Sequence, residues 1–156
     1  MSSVGEQDRL QAAEALAKAL ANPEWPMLDI NPNGRMTRTT LTILENYQHI
    51  PEVAQFLGEF QANFYVDSRL WHYLKRRYED GIKEITEPAD IDKLFEQILT
   101  DEQATIHRPG IRYLVLSSDR RWVAVVDPTG LRVSIMLAKE PEKLGDILWT
   151  IADLNV

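Results

Sequence analysis

Residues 110–139, GIRYLVLSSDRRWVAVVDPTGLRVSIMLAK, constrain the fold of this chain more than any other stretch. Three short apolar runs, 111–116, 122–126 and 131–137, are separated by Ser117-Ser118-Asp119-Arg120 and Asp127-Pro128-Thr129-Gly130. Short runs rich in β-branched and aromatic residues, broken by turn-forming residues, predict a three-stranded antiparallel meander. A sheet this apolar must be covered on at least one face, so the rest of the chain is read for what covers it.

The covering segments read as helices. Residues 7–21 place Leu10, Ala13, Leu16 (or Ala17) and Leu20 at helical spacing, and their small Ala-rich face suits packing on the chain's own body or on another subunit. Residues 22–38, NPEWPMLDINPNGRMTR, predict a Pro-rich loop that lays Trp25, Met27, Leu28 and Ile30 across the domain, or else exposes them for binding. Residues 39–47 carry β-branched residues that suit a strand, but Leu41, Leu44 and Tyr47 have helical spacing, and helix is preferred.

Pro51 opens a further helix with Val53, Phe56, Leu57 and Phe60 inward, and residues 64–66 read as extended. Asp67-Ser68 caps a helix that stops at Gly81, and residues 82–85 suggest a short strand. The next helix spans 89–99 with Ile91, Leu94, Phe95 and Ile98 inward, and Pro141 precedes a terminal helix, 142–154, with Leu144, Ile147, Leu148 and Ile151 inward. The class is therefore α+β: helices packed on a small antiparallel sheet with a three-stranded meander at 111–137 and a C-terminal helix. The length fits a single domain over 1–156, with residues 1–38 as helix plus covering loop and 39–156 as the α+β body.

Charge narrows the partners. The formal net charge is -7, and residues 67–139 balance twelve Lys and Arg against twelve Asp and Glu between acidic flanks. An acidic total disfavours non-specific hold on a polyanion, which needs clustered cations. The lack of cysteine excludes thiol nucleophiles, disulfides and thiolate metal sites. The first residues have no basic start with an apolar core, and no run is long enough to span a membrane, so a cytoplasmic protein with no membrane partner is expected.

The three histidines, His49, His72 and His107, make no ligand pattern, and phosphate-loop, nucleophile-elbow and calcium-loop signatures are missing, so neither metal nor cofactor is expected. The densest group of reactive side chains runs from Arg69 through Trp71, His72 and Arg76 to Tyr78. On a helix Arg69, His72 and Arg76 share a face, where an imidazole beside guanidinium groups can move protons and steady a pentacoordinate phosphate. The same residues also make an ordinary solvated face pairing with Glu79 and Asp80. On the strands, alternation gives Arg132 and Ser134 one face, and with Arg112 they would make a cationic sheet surface if that face points away from the helices.

From about residue 70 to 138, the order of His72 with Arg76 four residues on, Gly81-Ile82, Ile98-Leu99-Thr100-Asp101-Glu102, the Arg-Tyr-Leu-Val of 112–115, the Trp-Val-Ala-Val-Val-Asp-Pro-Thr-Gly of 122–130 and Arg132-Val133-Ser134 resembles the small barnase- and RelE-like toxin ribonuclease superfamily. The resemblance implies two helices before a curved antiparallel sheet, and an RNA cleft lined by His72, Arg76 and Ser134.

Two functions follow as expectations. The first is a non-enzymatic protein that binds another macromolecule, most simply a protein, in the manner of an immunity, antitoxin or phage-accessory regulator, with Arg69, Trp71, Arg112, Arg132 and Trp25 as binding residues. The second is a metal-independent ribonuclease, with His72 as acid and base, Arg69, Arg76 and Arg132 stabilising phosphate charge and Ser134 positioning RNA.

Overall fold

The computed structural model describes residues 5–155. In chain order its elements are α1 (Glu6–Ala21), β1 (Met27–Asp29), α2 (Arg35–Glu45), α3 (Pro51–Asn63), β2 (Tyr65–Asp67), α4 (Ser68–Leu74) with a π-helical turn (Lys75–Glu79), α5 (Ala89–Leu99), β3 (Thr105–His107), β4 (Tyr113–Leu116), β5 (Trp122–Val126), β6 (Arg132–Leu137), a 3-10 turn (Pro141–Leu144), β7 (Trp149–Thr150) and α6 (Ile151–Leu154). The class is α+β, as the sequence predicts. The elements group into two compact units, Met1–Trp25 with Asp92–Val156, and Pro26–Ile91.

The first unit is built on an antiparallel sheet in the order β6-β5-β4-β3-β7. The expected meander is β4-β5-β6, and the sheet is larger than expected by β3 and β7. Register aligns Ile106, Val115, Ala124 and Ile135 across four strands on one face, and all four are fully buried. The opposite face aligns Thr105, Leu116, Val123 and Met136. It is apolar as well: Leu116, Val123 and Val125 form a buried cluster on which Leu114, Met136 and Leu144 pack. Both faces therefore contribute to the core, and the conditional cationic surface with Arg132 on it is not formed.

Helix α1 packs against β5, but with a different stripe from the one its leucines suggest. The buried residues are Ala12, Ala15, Leu16 and Ala19, while Leu10, Ala17 and Leu20 stay exposed. Small side chains win this face because the helix backbone has to come close. A Cβ placed on Gly130 would stand 2.5 Å from Cβ of Lys18 and 3.4 Å from the carbonyl of Ala15. Gly130 also has φ +92°, which only glycine adopts without strain.

The expected C-terminal helix is present, but it is shorter than the predicted 142–154. Gly145 at φ +86° ends the 3-10 turn, Leu148 N–H bonds to the carbonyl of Ile106, and Trp149 and Thr150 pair with β3. Helix resumes for only four residues, held by a capping box in which Thr150 Oγ1 accepts from Asp153 N–H and Asp153 accepts from Thr150 N–H. Ile147, expected inward, is exposed.

In the unit Pro26–Ile91, the predicted covering loop contributes β1, which pairs with β2 in the register Leu28↔Val66. Residues 39–45 belong to helix α2 despite their threonines, and the Thr39 and Thr40 hydroxyls donate to the carbonyls four residues back, Arg35 and Met36. The core gathers Leu44 from α2, Val53, Phe56 and Phe60 from α3, and Trp71, Tyr73 and Leu74 from α4. Phe60 stacks on Trp71 with centroids 6.3 Å apart, and Phe56 lies 5.9 Å from the same ring. Such pairs add about 1 kcal/mol each beyond the area they bury. Residues 82–85 form a turn rather than a strand, with Ile85 N–H bonded to the carbonyl of Ile82.

Candidate functional site

The residues nominated from the helix at 68–80 fold into the unit Pro26–Ile91. Asp67 caps α4 as expected, its carboxylate accepting from the N–H groups of Arg69 at 2.7 Å and Leu70 at 3.3 Å. The helix then widens into the π turn, where Asp80 N–H reaches back to the carbonyl of Lys75 and Ile82 N–H to that of Arg76. Trp71, His72 and Arg76 are all buried, and Arg69 is half-buried. Arg76 Nη1 donates to Asp80 at 2.5 Å with both side chains out of water. Burial pulls the Arg76 guanidinium below its ordinary range, and the Asp80 and Glu79 carboxylates oppose that shift.

The residues nominated from the strands lie in the other unit. Arg132 has no exposed surface. Its Nε donates to the Ala19 carbonyl at 2.8 Å, Nη2 to the Leu20 carbonyl and to Glu96, and Nη1 to Asp92 at 3.2 Å, while the group lies 4.9 Å from the Phe95 ring centroid. Trp25 belongs to the same assembly: its indole N–H donates to Asp92 at 2.6 Å and its ring meets Phe95 edge-on. Ser134 is half-buried opposite Val125. The set His72 and Arg76 thus sits in one unit and Arg132 and Ser134 in the other.

Arg112 differs from all of these. It is the one nominated residue classed as exposed, with 56% of its side chain open to solvent, and its Nε lies 3.7 Å from Asp127. Asp127 itself is held below the usual carboxylate range, chiefly by the Thr129 hydroxyl and N–H and then by Arg112. Beside this pair, Pro109, Gly110, Ile111 and Leu114 complete an open hollow at the end of the sheet.

Local chemistry fixes that loop. Arg108 Nε donates to the Ile111 carbonyl at 2.9 Å, and its guanidinium lies 4.5 Å from the centroid of the buried Tyr113 ring. The loop is also close to the approach to β7, because His107 Nδ1 donates to the Gly145 carbonyl at 3.1 Å while Nε2 accepts from Thr105 Oγ1 at 2.8 Å, and a Cβ on Gly145 would meet Pro109 at 3.8 Å. The result is that Ile111 is held at 77% exposure. Sequence periodicity put Ile111 inside the first strand; the ladder begins only at Tyr113, and the Pro109-Gly110 pair before it was the signal of a loop.

A second cluster was not found from sequence. In the unit Pro26–Ile91, Glu52 accepts from the hydroxyls of Tyr73 at 3.2 Å and Tyr78 at 3.3 Å, and Tyr47 lies against Tyr78 with centroids 4.8 Å apart. Glu52 lies in the first turn of α3, Tyr47 in the turn after α2, and Tyr73 and Tyr78 on α4 and its π turn, so no local spacing announces the set. Among the described residues no group of three or more His, Asp or Glu is arranged to hold a metal ion. Comparison of the chain with protein-family models, with curated proteins and with solved structures finds no match.

Proposed function

We propose that this protein works without catalysis, by binding another protein through the end of the sheet formed by Pro109, Ile111, Arg112 and Leu114. The observation that carries the reading is Ile111, a β-branched aliphatic side chain held 77% exposed on a loop that Arg108 braces from behind. An isolated apolar anchor ringed by a charged pair, here Arg112 and Asp127, has the anatomy of an interface hot spot with a polar rim. Because the loop is pre-shaped, binding does not have to order it. A regulator of the immunity, antitoxin or phage-accessory type fits this chemistry and the net charge of -7.

The alternative, an RNA-cleaving enzyme of the barnase- and RelE-like kind, asks Arg76 and Arg132 to meet phosphate. Arg76 is engaged by Asp80, and Arg132 by two carbonyls and two carboxylates, which favours the binding reading. The test is affinity capture of the full chain, read by mass spectrometry, for wild type, Ile111→Glu and Arg112→Glu, together with an RNA-cleavage assay in chelator. A protein captured by wild type and lost from both variants, at unchanged melting temperature, supports the proposal. Equal capture by all three chains, or RNA cleavage that disappears in His72→Ala, overturns it.

A further inference from the structure

The two-stranded sheet of β1 and β2 ends at β1, whose outer edge pairs with no other described strand. On the inner side Ser68 N–H bonds to the carbonyl of Pro26 at 3.0 Å and Ile30 N–H to that of Phe64 at 2.9 Å, with Leu28 opposite Val66 between them. Residues 26, 28 and 30 therefore turn their backbone toward β2. Alternation along an antiparallel strand turns the N–H and C=O groups of Met27 and Asp29 the other way. Among the described residues no hydrogen bond reaches those four groups. Met27 is 49% exposed and Asp29 is exposed, so the edge is open to solvent.

We infer that this edge takes up an extended, basic peptide segment of a partner protein as a third, antiparallel strand. Main-chain donors and acceptors left open in alternation recognise another main chain, which fixes the occupant as a strand. The side chains give it character. Met27, Asp29, Tyr65 and Asp67 share the outward face of the ribbon, and the half-buried Leu28 shares the other face with the buried Val66. Opposite Met27 an apolar residue is favoured. Asp29 has no ion-pair partner among the described residues, so the position opposite it favours lysine or arginine.

Charge separates this occupant from a second copy of the chain. Residues 22–34 contain no Lys or Arg. An antiparallel pair of β1 strands centred on Leu28 sets Asp29 against Met27, and one centred on Asp29 sets carboxylate against carboxylate. Neither gives Asp29 a cation. Pro26 and Pro32 bracket the edge, and a proline has no N–H to offer, so the added ladder stays short. Binding is therefore weak, and it falls with salt because the ion pair is exposed. The edge lies in the unit Pro26–Ile91 and the Ile111 loop in the other unit, so the inference does not rest on binding at the sheet end.

The experiment titrates the full isotope-labelled chain with the peptide acetyl-Thr-Lys-Val-Leu-Thr-amide and follows backbone amide NMR shifts. In the antiparallel register its Lys stands opposite Asp29 and its Leu opposite Met27, and shifts are expected at those two amides. Replacing the peptide's Lys by Glu should weaken binding about fivefold. Asp29→Lys, shown folded by circular dichroism, should reverse that preference. N-methylation of the peptide's Leu, whose N–H points at β1, should abolish binding, whereas N-methylation of its Val, whose N–H points away, should not. Equal loss from the two methylated peptides, no preference between the Lys and Glu peptides, or no shift at Met27 and Asp29 overturns the inference. A dimer in sedimentation equilibrium that shifts these amides without peptide gives the edge to a second copy and overturns it as well.

Discussion

Arg132 Nε donates to the carbonyl of Ala19 across 2.8 Å, tying β6 to the last turn of α1 over 113 positions of sequence. The carbonyls of Ala19 and Leu20 are among the last four of their helix and have no partner within it, so the guanidinium supplies what the helix lacks. Its charge also suits the negative end of the helix dipole, and Asp92 and Glu96 balance it. Arg132→Ala leaves those carbonyls without their donor and removes the guanidinium that Asp92 and Glu96 face, and should lower unfolding free energy by about 3–5 kcal/mol in urea titration. Arg132→Lys should recover only part, since an ammonium cannot reproduce the fork. A loss under about 1 kcal/mol for Arg132→Ala, no more than a surface ion pair is worth, would show that the group is not a structural tie.

Two glycines separate backbone strain from steric contact. Gly81 has φ +68° with no atom within 4 Å of a built Cβ, whereas Gly130 has φ +92° and faces Lys18 and Ala15. Gly81→Ala should cost about 1–2 kcal/mol, the left-handed penalty alone. Gly130→Ala should cost a further 1–3 kcal/mol, because α1 has to move off β5 to admit the methyl group. Equal melting temperatures for the two variants would remove the close-approach account of the alanine face.

These tertiary demands explain what the sequence disclosed. The meander was legible because its strands are apolar runs rich in β-branched residues and are divided by turn residues, and α5 was legible to its last residue because its stripe is regular. Strands β3 and β7 have three and two residues, too few for any period, and exist only because each completes a ladder made elsewhere. The inward stripe of α1 was misread since hydrophobicity ranks leucine over alanine, while the contact with Gly130 selects for size. Arg132 read as a cation for a ligand. Only the folded chain reveals that helix carbonyls from residues 19 and 20 are its partners. Ile111 was hidden by its β-branched character, which suits a strand as well as an anchor.

Arg76 and Asp80 give a test of a different buried charge. The pair is enclosed, so removing one member strands the other. Asp80→Ala should destabilise by about 3–5 kcal/mol, and Arg76→Met combined with Asp80→Ala should be nearer to wild type than Asp80→Ala alone. Denaturant titrations of the two single variants and the double variant close the cycle. Additive losses would mean that the two side chains do not depend on each other.

The tyrosine cluster makes stability sensitive to alkali. Burial raises the Tyr73 hydroxyl well above the ordinary phenol range, and the Glu52 carboxylate that accepts its hydrogen bond raises it further; the same two causes raise Tyr78. The unfolded chain ionises these phenols near pH 10, while the folded chain keeps its protons. The contribution of neutral Tyr73 is therefore complete below about pH 10 and is lost progressively as pH rises from there toward its raised folded value. Tyr73→Phe removes the group that resists ionisation, so its stability should fall less steeply above about pH 10 than that of wild type. Near neutrality the same variant should be less stable, because the Thr86 carbonyl loses the donor that reaches it at 3.2 Å. Urea titrations of both chains across this range compare the slopes. Parallel slopes would mean that Tyr73 ionises alike in both states and that the Glu52 network does not hold its proton.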